Sequence, residues 1–237
     1  MKFRIVSIVF ASLVIVGCGG SSSGGSGGSG GSDTINPSDI NISKDILNGK
    51  ILDYDSADPI KNQYLAVVNH LRQQKIKCND SSAKTGPSPE LESNELLESA
   101  AKEHSDDYNA SGIYNRDHSG SGTVSDLTSV AWNLGRGSTP KERVEYNGYN
   151  GISGENQAKL TSYYAKGRMP ANFEAVQDNT WIYVMQSWMK SGTGHCSNIM
   201  NASFEDFGMH ESGVHIEDNG THILHTTYWT QEFGKSN

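Results

Sequence analysis

The sequence has no apolar stretch long enough to cross a bilayer as a helix, and it has few basic residues. Its apolar run Ile5–Val16 spans twelve residues, whereas a membrane-spanning helix needs about 20. Lys and Arg number 19 against 27 Asp and Glu, so the formal net charge is −8 and the pI is about 5.4. This acidic balance argues against nucleic acid as a partner.

Motifs of several enzyme classes are also absent. The globular part has no His-Glu-x-x-His helix of a metalloprotease and no Gly-x-Ser-x-Gly elbow of a serine hydrolase. Gly135–Gly137 lacks the lysine and the flanking strand of a phosphate-binding loop. The chain shows no internal repeat. A function must therefore be sought in residues that are distant from one another in the sequence.

The N-terminus resembles a bacterial lipoprotein signal. A basic start, Met1–Arg4, precedes the apolar run, which ends in Ile15-Val16-Gly17-Cys18. A short apolar core after a basic start is typical of a signal peptide. We expect residues 1–17 to be removed and Cys18 to be lipidated, so that the protein is exported and anchored in the cell envelope. Gly19, in place of aspartate, favours the outer membrane by analogy with the enterobacterial rule. The alternative is a plain secretory signal with a stray cysteine.

The sequence after the signal divides into a tether and one folded domain. Gly19–Ser32 is almost purely Gly and Ser, a composition that forms a flexible coil with an r.m.s. reach of about 20 Å. With the polar linker that follows, it makes up residues 18–58, and we expect one short linker segment to pack on the domain. Residues 59–237 suffice for one domain with its own core.

The hydrophobic periodicity of the domain predicts helices first and strands later. Four helices are predicted: from Pro59 to about Cys78, from Ser93 to about Gly112, a short one after Thr139-Pro140, and from Ala175 to Met189. In the last third, Val214–Asp218 and Thr221–His225 flank Asn219-Gly220, which predicts a hairpin with a two-residue turn. Helices followed by an antiparallel sheet indicate an α+β domain.

The three cysteines can be assigned from the expected export. With Cys18 carrying lipid, Cys78 and Cys196 remain as an even pair in a compartment where disulfides persist. We therefore expect these two to be bonded. The alternative makes Cys196 a nucleophile activated by His195, but adjacent residues rarely orient in that way and a disulfide would silence the thiol.

The segment Trp188–Met200 places two glycines and a histidine at a predicted turn. Glycine adopts backbone shapes that other residues resist, so we expect Gly192 and Gly194 to fix the direction of His195. The alternative is an ordinary helix C-cap followed by a histidine that is satisfied within the core.

Four stretches occur together in a fixed order: Asp117-His118-Ser119-Gly120, Gly154-Glu155-Asn156, Trp188–Met200 and Tyr228–Gly234. In this order and spacing they resemble the CAP superfamily (cysteine-rich secretory, antigen 5 and pathogenesis-related-1 proteins) in its bacterial form. The resemblance covers Pro59–Gly234. It implies an α-β-α sandwich with a central antiparallel sheet.

The resemblance also implies a shared cleft, which in the family holds two histidines and two glutamates and, in some members, a divalent metal. By motif, His118 and Glu155 match one histidine and one glutamate, while Ser191 and Tyr228 stand where eukaryotic members have the other two. His195 is the histidine that bacterial members carry instead. The expected site therefore consists of His118, Glu155 and His195, with Ser191, Tyr228 and Gln231 nearby.

Imidazole and carboxylate are ligands that zinc takes, and three of them leave one position open. On this view His118 and His195, with Glu155, hold Zn²⁺ or another divalent metal. The alternative is that His118 and Glu155 hydrogen-bond to each other and pin their loops. His225, near a strand end, is placed to reach the cleft, whereas His104 lies on an apolar helix face and is expected to be a core histidine. The other hairpin histidines are expected to be solvated: His210, His215 and His222.

Two functions from different classes fit these residues. The first is an envelope-interaction module that binds a lipid, a cell-wall glycan or a protein in the cleft. The second is a metal-assisted hydrolase of peptide or ester bonds, with Glu155 as the general base. Ser191 and Tyr228 replace the second glutamate and the second histidine, which counts against the hydrolase. The sequence therefore favours the binding module.

Overall fold

A computed structural model of the chain describes residues 12–16, 34–80, 84–165 and 180–237. Cys18, its expected lipid and the Gly/Ser tether lie outside these residues. Across the described ranges, no helix is long and apolar enough to cross a membrane.

The N-terminal segment packs on the domain more extensively than the sequence predicts. A short 3-10 helix at Pro37–Asp39 leads into helix α1, Ile42–Leu47. Ile40 and Ile42 are buried in the main hydrophobic core, and burial of apolar surface is what stabilises such a segment. Part of the predicted linker 18–58 therefore belongs to the folded unit.

The ends of the remaining helices follow from the local sequence. These helices are α2 (Ile60–Gln73), α3 (Glu95–Ser111), α4 (Leu127–Trp132), α5 (Pro140–Tyr146), α6 (Thr180–Lys190) and α7 (His195–Ile199). The Asn94 side chain caps α3, and Gly112 ends it at φ 69°, a left-handed conformation that favours glycine. Thr139 and Glu142 form a capping box at the start of α5. Residues 175–179 of the predicted fourth helix lie outside the described residues.

The described strands form one sheet in the order β1-β3-β6-β4-β2, with β5 also paired to β6. The strands are β1 (Ser12–Val16), β2 (Glu92–Ser93), β3 (Gly151–Ala165), β4 (Asp206–Glu211), β5 (His215–Asp218) and β6 (His222–Ser236). Their pairings are antiparallel, apart from the short parallel pair β2–β4. Helices with a largely antiparallel sheet confirm the predicted α+β class.

Strand β1 falls within the stretch that is predicted to be a signal peptide. It pairs with Gln157–Thr161 of β3. Removal of residues 1–17 would take β1 away and leave this part of β3 at the edge of the sheet, where backbone N–H and C=O groups are unpaired.

The C-terminal hairpin turns one residue later than predicted. Asp218 pairs with Ile223. The two central residues of the turn are therefore Gly220 and Thr221, whereas the sequence predicted Asn219 and Gly220. The Asn219 side chain accepts a hydrogen bond from the His222 N–H at 2.8 Å. Gly220 has φ 92°, which suits the first central position of a type II′ turn.

The two faces of the sheet bury different chemistry, because successive side chains of a strand point to opposite faces. The main core lies on the face toward α2, α6 and α7. Its sheet residues are Ala158, Leu160, Phe207, Met209, Trp229 and Phe233. On the opposite face, toward α3 and α5, the buried sheet residues are polar: Glu155, Gln157, Thr230 and Glu232. Helices on both faces make the sandwich that the resemblance implies.

The predicted disulfide is confirmed. Cys78 and Cys196 are bonded, with a Cα–Cα distance of 5.6 Å and a sequence separation of 118 residues. Both lie in the main core, and the bond joins the segment after α2 to the start of α7. A bonded Cys196 has no thiol to act as a nucleophile.

Candidate functional site

Glu155 on β3 is the centre of a buried hydrogen-bond network. Its Oε1 lies 2.8 Å from His118 Nδ1, and its Oε2 lies 2.9 Å from His104 Nδ1. The Arg143 guanidinium donates to the same Oε2 at 2.7 Å. All four side chains are buried. We call these residues, together with the neighbouring Glu232, the Glu155 network.

Helices α3 and α5 deliver two members of this network. His104 follows Leu97 and Ala100 on the buried face of α3, which packs closely on the sheet because β4 carries Gly208 there. A Cβ at Gly208 would lie 2.2 Å from the backbone nitrogen of Glu98. His104 is buried, as expected of a core histidine, and the structure also shows its contact with Glu155.

Arg143 extends from α5 and joins three parts of the fold. Besides Glu155, its guanidinium donates to the backbone oxygens of Ser138 and His118, each at 2.8 Å. A planar guanidinium with five donors suits such a junction better than lysine would. The capping box of α5 fixes the helix from which this side chain projects.

His118 is held in a backbone conformation that non-glycine residues rarely adopt. Its φ is 66°, in the left-handed region, which costs free energy unless the surroundings enforce it. The Tyr108 hydroxyl donates to the backbone oxygens of Asn115 and Ser119 at 3.0 Å each, and so fixes both sides of the turn. Arg143 fixes the carbonyl of His118 itself. The loop is therefore built to aim this imidazole at Glu155.

The charges of the network set the protonation of its members. Burial alone would raise the pKa of Glu155, but the positive charge of Arg143 and the hydrogen bonds from both histidines hold that pKa well below its usual value. Burial, followed by the charge of Arg143, lowers the pKa of His104. Glu155 is thus ionised at neutral pH and His104 is neutral. The His104 Nδ1 lies 2.9 Å from the Glu155 carboxylate and 3.0 Å from the Arg143 guanidinium.

Glu232 adds a second carboxyl group to the same place. It pairs directly with Glu155 across β3 and β6 and is fully buried. Burial and the negative charge of Glu155 raise the pKa of Glu232 well above its usual value. Among the described residues neither of its carboxyl oxygens has a hydrogen-bond partner, and protonation of Glu232 removes the repulsion between two neighbouring buried carboxylates. Arg143 then balances the one carboxylate that stays ionised, Glu155.

Three tyrosines extend the network toward solvent. The Tyr108 ring lies 4.2 Å from the His104 ring, and 5.1 and 5.7 Å from the rings of Tyr114 and Tyr228. Tyr114 and Tyr228 stack with centroids 6.0 Å apart. Burial raises the pKa of Tyr228 to about 12, so its hydroxyl stays protonated. Tyr114 is half-buried, and the cluster reaches the surface through it.

His195 belongs to a second group of predicted residues. Its Nδ1 lies 2.9 Å from the Ser191 hydroxyl, and Gly194 before it has φ 100°, as the sequence led us to expect of a glycine that directs this histidine. The backbone oxygen of His195 accepts from the Asn156 side chain, which also donates to Gln231. Asn156 follows Glu155 on β3, so these contacts lie on the other face of the sheet.

The predicted site residues therefore divide between the two faces. The structure brings His118 and Glu155 into contact and connects Tyr228 to the network through the ring of Tyr108. His195 and Gln231 contact Asn156 instead, and Ser191 contacts His195.

The donor set does not fit a divalent metal. No group of three His, Cys, Asp or Glu side chains among the described residues could hold one. The Arg143 guanidinium occupies the place beside Glu155 where a cation would bind, and a second positive charge there would be repelled. The metal site that was expected from His118, His195 and Glu155 is therefore not formed by these residues.

Two expectations for the other histidines are wrong. His225 pairs with Ser162, seven residues along β3 from Glu155, which is about 23 Å at the usual rise of a strand. It contacts Tyr164 there, at a ring distance of 5.3 Å, and does not reach the network. His210 is not fully solvated, because it is half-buried and its Nδ1 lies 2.8 Å from the Ser105 hydroxyl.

Sequence reasoning missed Arg143 and Glu232. Nothing local distinguishes Arg143 from the exposed charges around it on α5. Glu232 did give a signal, since it is the one acidic residue of Tyr228–Gly234, a stretch with three aromatic residues. Such a residue is buried at some cost unless a partner is present.

The sequence profile of the cysteine-rich secretory protein (CAP) family matches residues 65–233, a range that includes the whole Glu155 network. Searches of the curated proteins and of the solved structures gave no match. The profile supports an extracellular or ligand-binding function in general terms. Since it covers well over half of the chain and the fold agrees with it, the protein belongs to the CAP superfamily.

Proposed function

We propose that this chain is a lipoprotein of the bacterial cell envelope, anchored through Cys18, whose CAP domain binds a cell-wall glycan beside His118 without hydrolysing it. The observation that carries the proposal is the saturation of Glu155 by Arg143, His104 and His118. A carboxylate with three charge-assisted or neutral donors orients its neighbours and is a poor proton acceptor.

The alternative, a metal-assisted hydrolase, needs a general base near neutral pKa and a metal with an open position. Arg143 and the histidine hydrogen bonds hold the pKa of Glu155 well below its usual value, which removes the base. Arg143 also fills the cation position. Arg143 thus works against both the general base and the metal that a hydrolase would need. Binding without hydrolysis therefore accounts better for the site.

A glycan suits the aromatic side of the network better than a lipid or a protein segment does. Tyr114 offers a half-buried ring, and the Lys159 ammonium lies 5.6 Å from the centroid of the Tyr228 ring. An aromatic ring close to hydrogen-bonding groups matches a sugar, which has a C–H face and peripheral hydroxyls. A lipid chain would favour a wholly apolar surface.

The envelope location rests on independent features of the chain. The signal-like N-terminus and Cys18 support export and lipidation, and Gly19 favours the outer membrane. The Cys78–Cys196 disulfide is typical of an oxidising compartment.

The test is sedimentation of the protein with insoluble peptidoglycan, combined with an assay for released sugar or peptide ends. We expect the wild type to sediment with the glycan and to release no product. Tyr114→Ala should weaken binding by at least tenfold, since stacking and packing at a partly buried ring are lost. Tyr183→Ala, at an exposed tyrosine on α6, serves as the matched control and should bind normally.

Three outcomes would contradict the proposal. Release of product that is abolished by Glu155→Gln would establish the hydrolase. If Tyr114→Ala and the wild type bound the glycan equally well, the glycan would have to bind elsewhere on the protein. Binding to lipid vesicles or to an envelope protein in place of peptidoglycan would assign the site to one of the other two ligand classes.

A further inference from the structure

Helix α4 buries its polar residues and exposes its apolar ones, which is the reverse of the usual arrangement for a helix on a domain surface. Its polar residues Thr128 and Ser129 are buried, whereas Leu127, Val130 and Trp132 are exposed. A surface helix normally buries its apolar stripe against the core. The sequence alone gave no sign of this helix.

Buried polar contacts hold α4 in this orientation. The Thr128 N–H donates to Glu103 Oε1 at 2.8 Å, and the Ser129 hydroxyl donates to the backbone oxygen of Arg136. Asp126 caps the helix by accepting from the Ser129 N–H at 3.1 Å. Rotation of the apolar side inward would leave these buried groups unpaired, which is costly. The exposure is therefore a fixed property of the fold.

The exposed side chains continue from α4 onto α5. Trp132 packs edge-on against Tyr146, with ring centroids 6.1 Å apart. Leu127 and Val130 are three residues apart on one side of the helix. We call the four exposed side chains, Leu127, Val130, Trp132 and Tyr146, the α4 apolar face.

The charges around this face cancel in pairs. Arg136 donates twice to Glu142, at 2.6 and 2.9 Å, and Lys141 pairs with Glu145. No net charge is left to attract an anionic or cationic partner. A neutral rim around apolar and aromatic side chains suits the surface of a zwitterionic bilayer, where tryptophan and tyrosine are favoured at the interface.

We propose that the α4 apolar face inserts into the surface of the phospholipid bilayer to which the chain is anchored. This inference rests on the proposed lipidation of Cys18. The seventeen residues from Cys18 to Thr34 can extend to about 55 Å, which exceeds the diameter of about 40 Å of a globular domain of this size. The tether is therefore long enough for this side of the domain to reach the bilayer, and it keeps the domain close to the bilayer surface.

A second copy of the chain is the less suitable occupant. A stable interface of standard size buries about 800 Å² per partner, and four partly exposed side chains offer much less. Shallow insertion needs no such area, because the anchor already supplies the local concentration.

The tryptophans of the chain make a direct experiment feasible. Trp132 is 43% exposed, whereas Trp181, Trp188 and Trp229 are at most 1% exposed. The lipidated full-length protein is reconstituted in phosphatidylcholine vesicles with brominated acyl chains, which quench tryptophan on contact. We expect quenching that disappears in Trp132→Phe and that increasing ionic strength does not change, because the contact is apolar.

Matched variants locate the contact. Leu127→Ser with Val130→Ser keeps Trp132 and should reduce the quenching several-fold. Ile216→Ser, at a residue that is 61% exposed on β5, should leave it unchanged. Circular dichroism checks that each variant keeps the fold.

The lipid anchor and the insertion of the α4 apolar face are tested by separate measurements. Vesicle flotation reports on the anchor, and bromine quenching reports on the insertion. A protein that floats without quenching overturns the docking alone. Quenching that survives the double serine variant also overturns it, as does a detergent-solubilised dimer that this variant dissociates, which would assign the face to a second copy. A protein that does not float lacks the anchor, and the docking proposal falls with it.

Discussion

The two faces of the central sheet are both buried, yet they are stabilised by different interactions. The face toward α2, α6 and α7 packs aromatic and aliphatic side chains around the uncharged amides of Asn156 and Gln231, and the Cys78–Cys196 disulfide links its elements. The face toward α3 and α5 buries the Glu155 network, in which one arginine balances one carboxylate. Apolar packing is insensitive to pH, whereas a buried charge network is not. A binding site can therefore be placed on the polar face without disturbing the packing that holds the domain together.

The largest expected effect comes from opening the covalent link on the apolar face. Cys78→Ala with Cys196→Ala removes a cross-link between residues 118 apart in sequence, which in the chain-entropy model stabilises by about 4–5 kcal/mol. Urea unfolding should show this loss with no change in its pH dependence. A pH dependence that changed would mean that the disulfide supports the polar face as well.

The next effect comes from removing the cation of the polar face. Arg143→Leu leaves the buried Glu155 carboxylate uncompensated, and we expect a loss of about 3–5 kcal/mol in the free energy of unfolding. Arg136→Leu is the matched control, because its pair with Glu142 is exposed at the surface and contributes at most about 1 kcal/mol.

A double variant tests whether the loss is electrostatic. Arg143→Leu with Glu155→Gln removes both charges and should cost less than Arg143→Leu alone. If the single variant cost no more than Arg136→Leu, the polar face would not depend on its ion pair, and the contrast between the faces would fail.

The smallest effect is a change in the slope of stability with pH. The pKa of Glu232 is raised in the folded state, so the folded protein retains a proton that the unfolded chain releases above about pH 4.3. Stability due to this group is therefore complete below that pH and falls as the pH rises toward the folded pKa, by about 1.4 kcal/mol per unit.

Glu232→Gln mimics the protonated acid and should abolish this decline. The measurement is the free energy of unfolding at about pH 5 and at about pH 6.5, written as a difference between variant and wild type, which should change by about 2 kcal/mol over this interval. Glu205→Gln, at an exposed residue, is the control. Parallel curves for Glu232→Gln and wild type would show that Glu232 is ionised in the folded protein.

The sequence predicted best where one physical signal dominates. The periodicity of Tyr64, Val67 and Leu71 predicted α2, although the helix ends at Gln73 and not near Cys78, and Asn94 and Gly112 predicted the ends of α3. The cysteine count was enough to identify the disulfide. Resemblance to the family selected His118 and Glu155, which the structure brings together at 2.8 Å.

The polar face explains what could not be predicted. Strand β3 contains Glu155, Gln157 and Lys159 on one side, a pattern that indicates a solvent-exposed face although the first two of these residues are buried. A sequence does not show whether a charge has a partner, so Arg143 looked like any surface residue of α5. His195 is the first residue of α7, directly after Gly194, and its placement depends on the packing of this helix, which no local pattern reports.

The disulfide also determines what proteolysis can do to this molecule. His104, His118, Arg143 and Glu155 all lie between Cys78 and Cys196, inside a loop closed by a covalent bond. A single cut in that loop would therefore release no fragment: the two pieces would stay joined as one molecule until the bond is reduced. A nicked domain thus keeps the residues of the Glu155 network on one covalently joined molecule, and a cut becomes visible on a gel only after reduction.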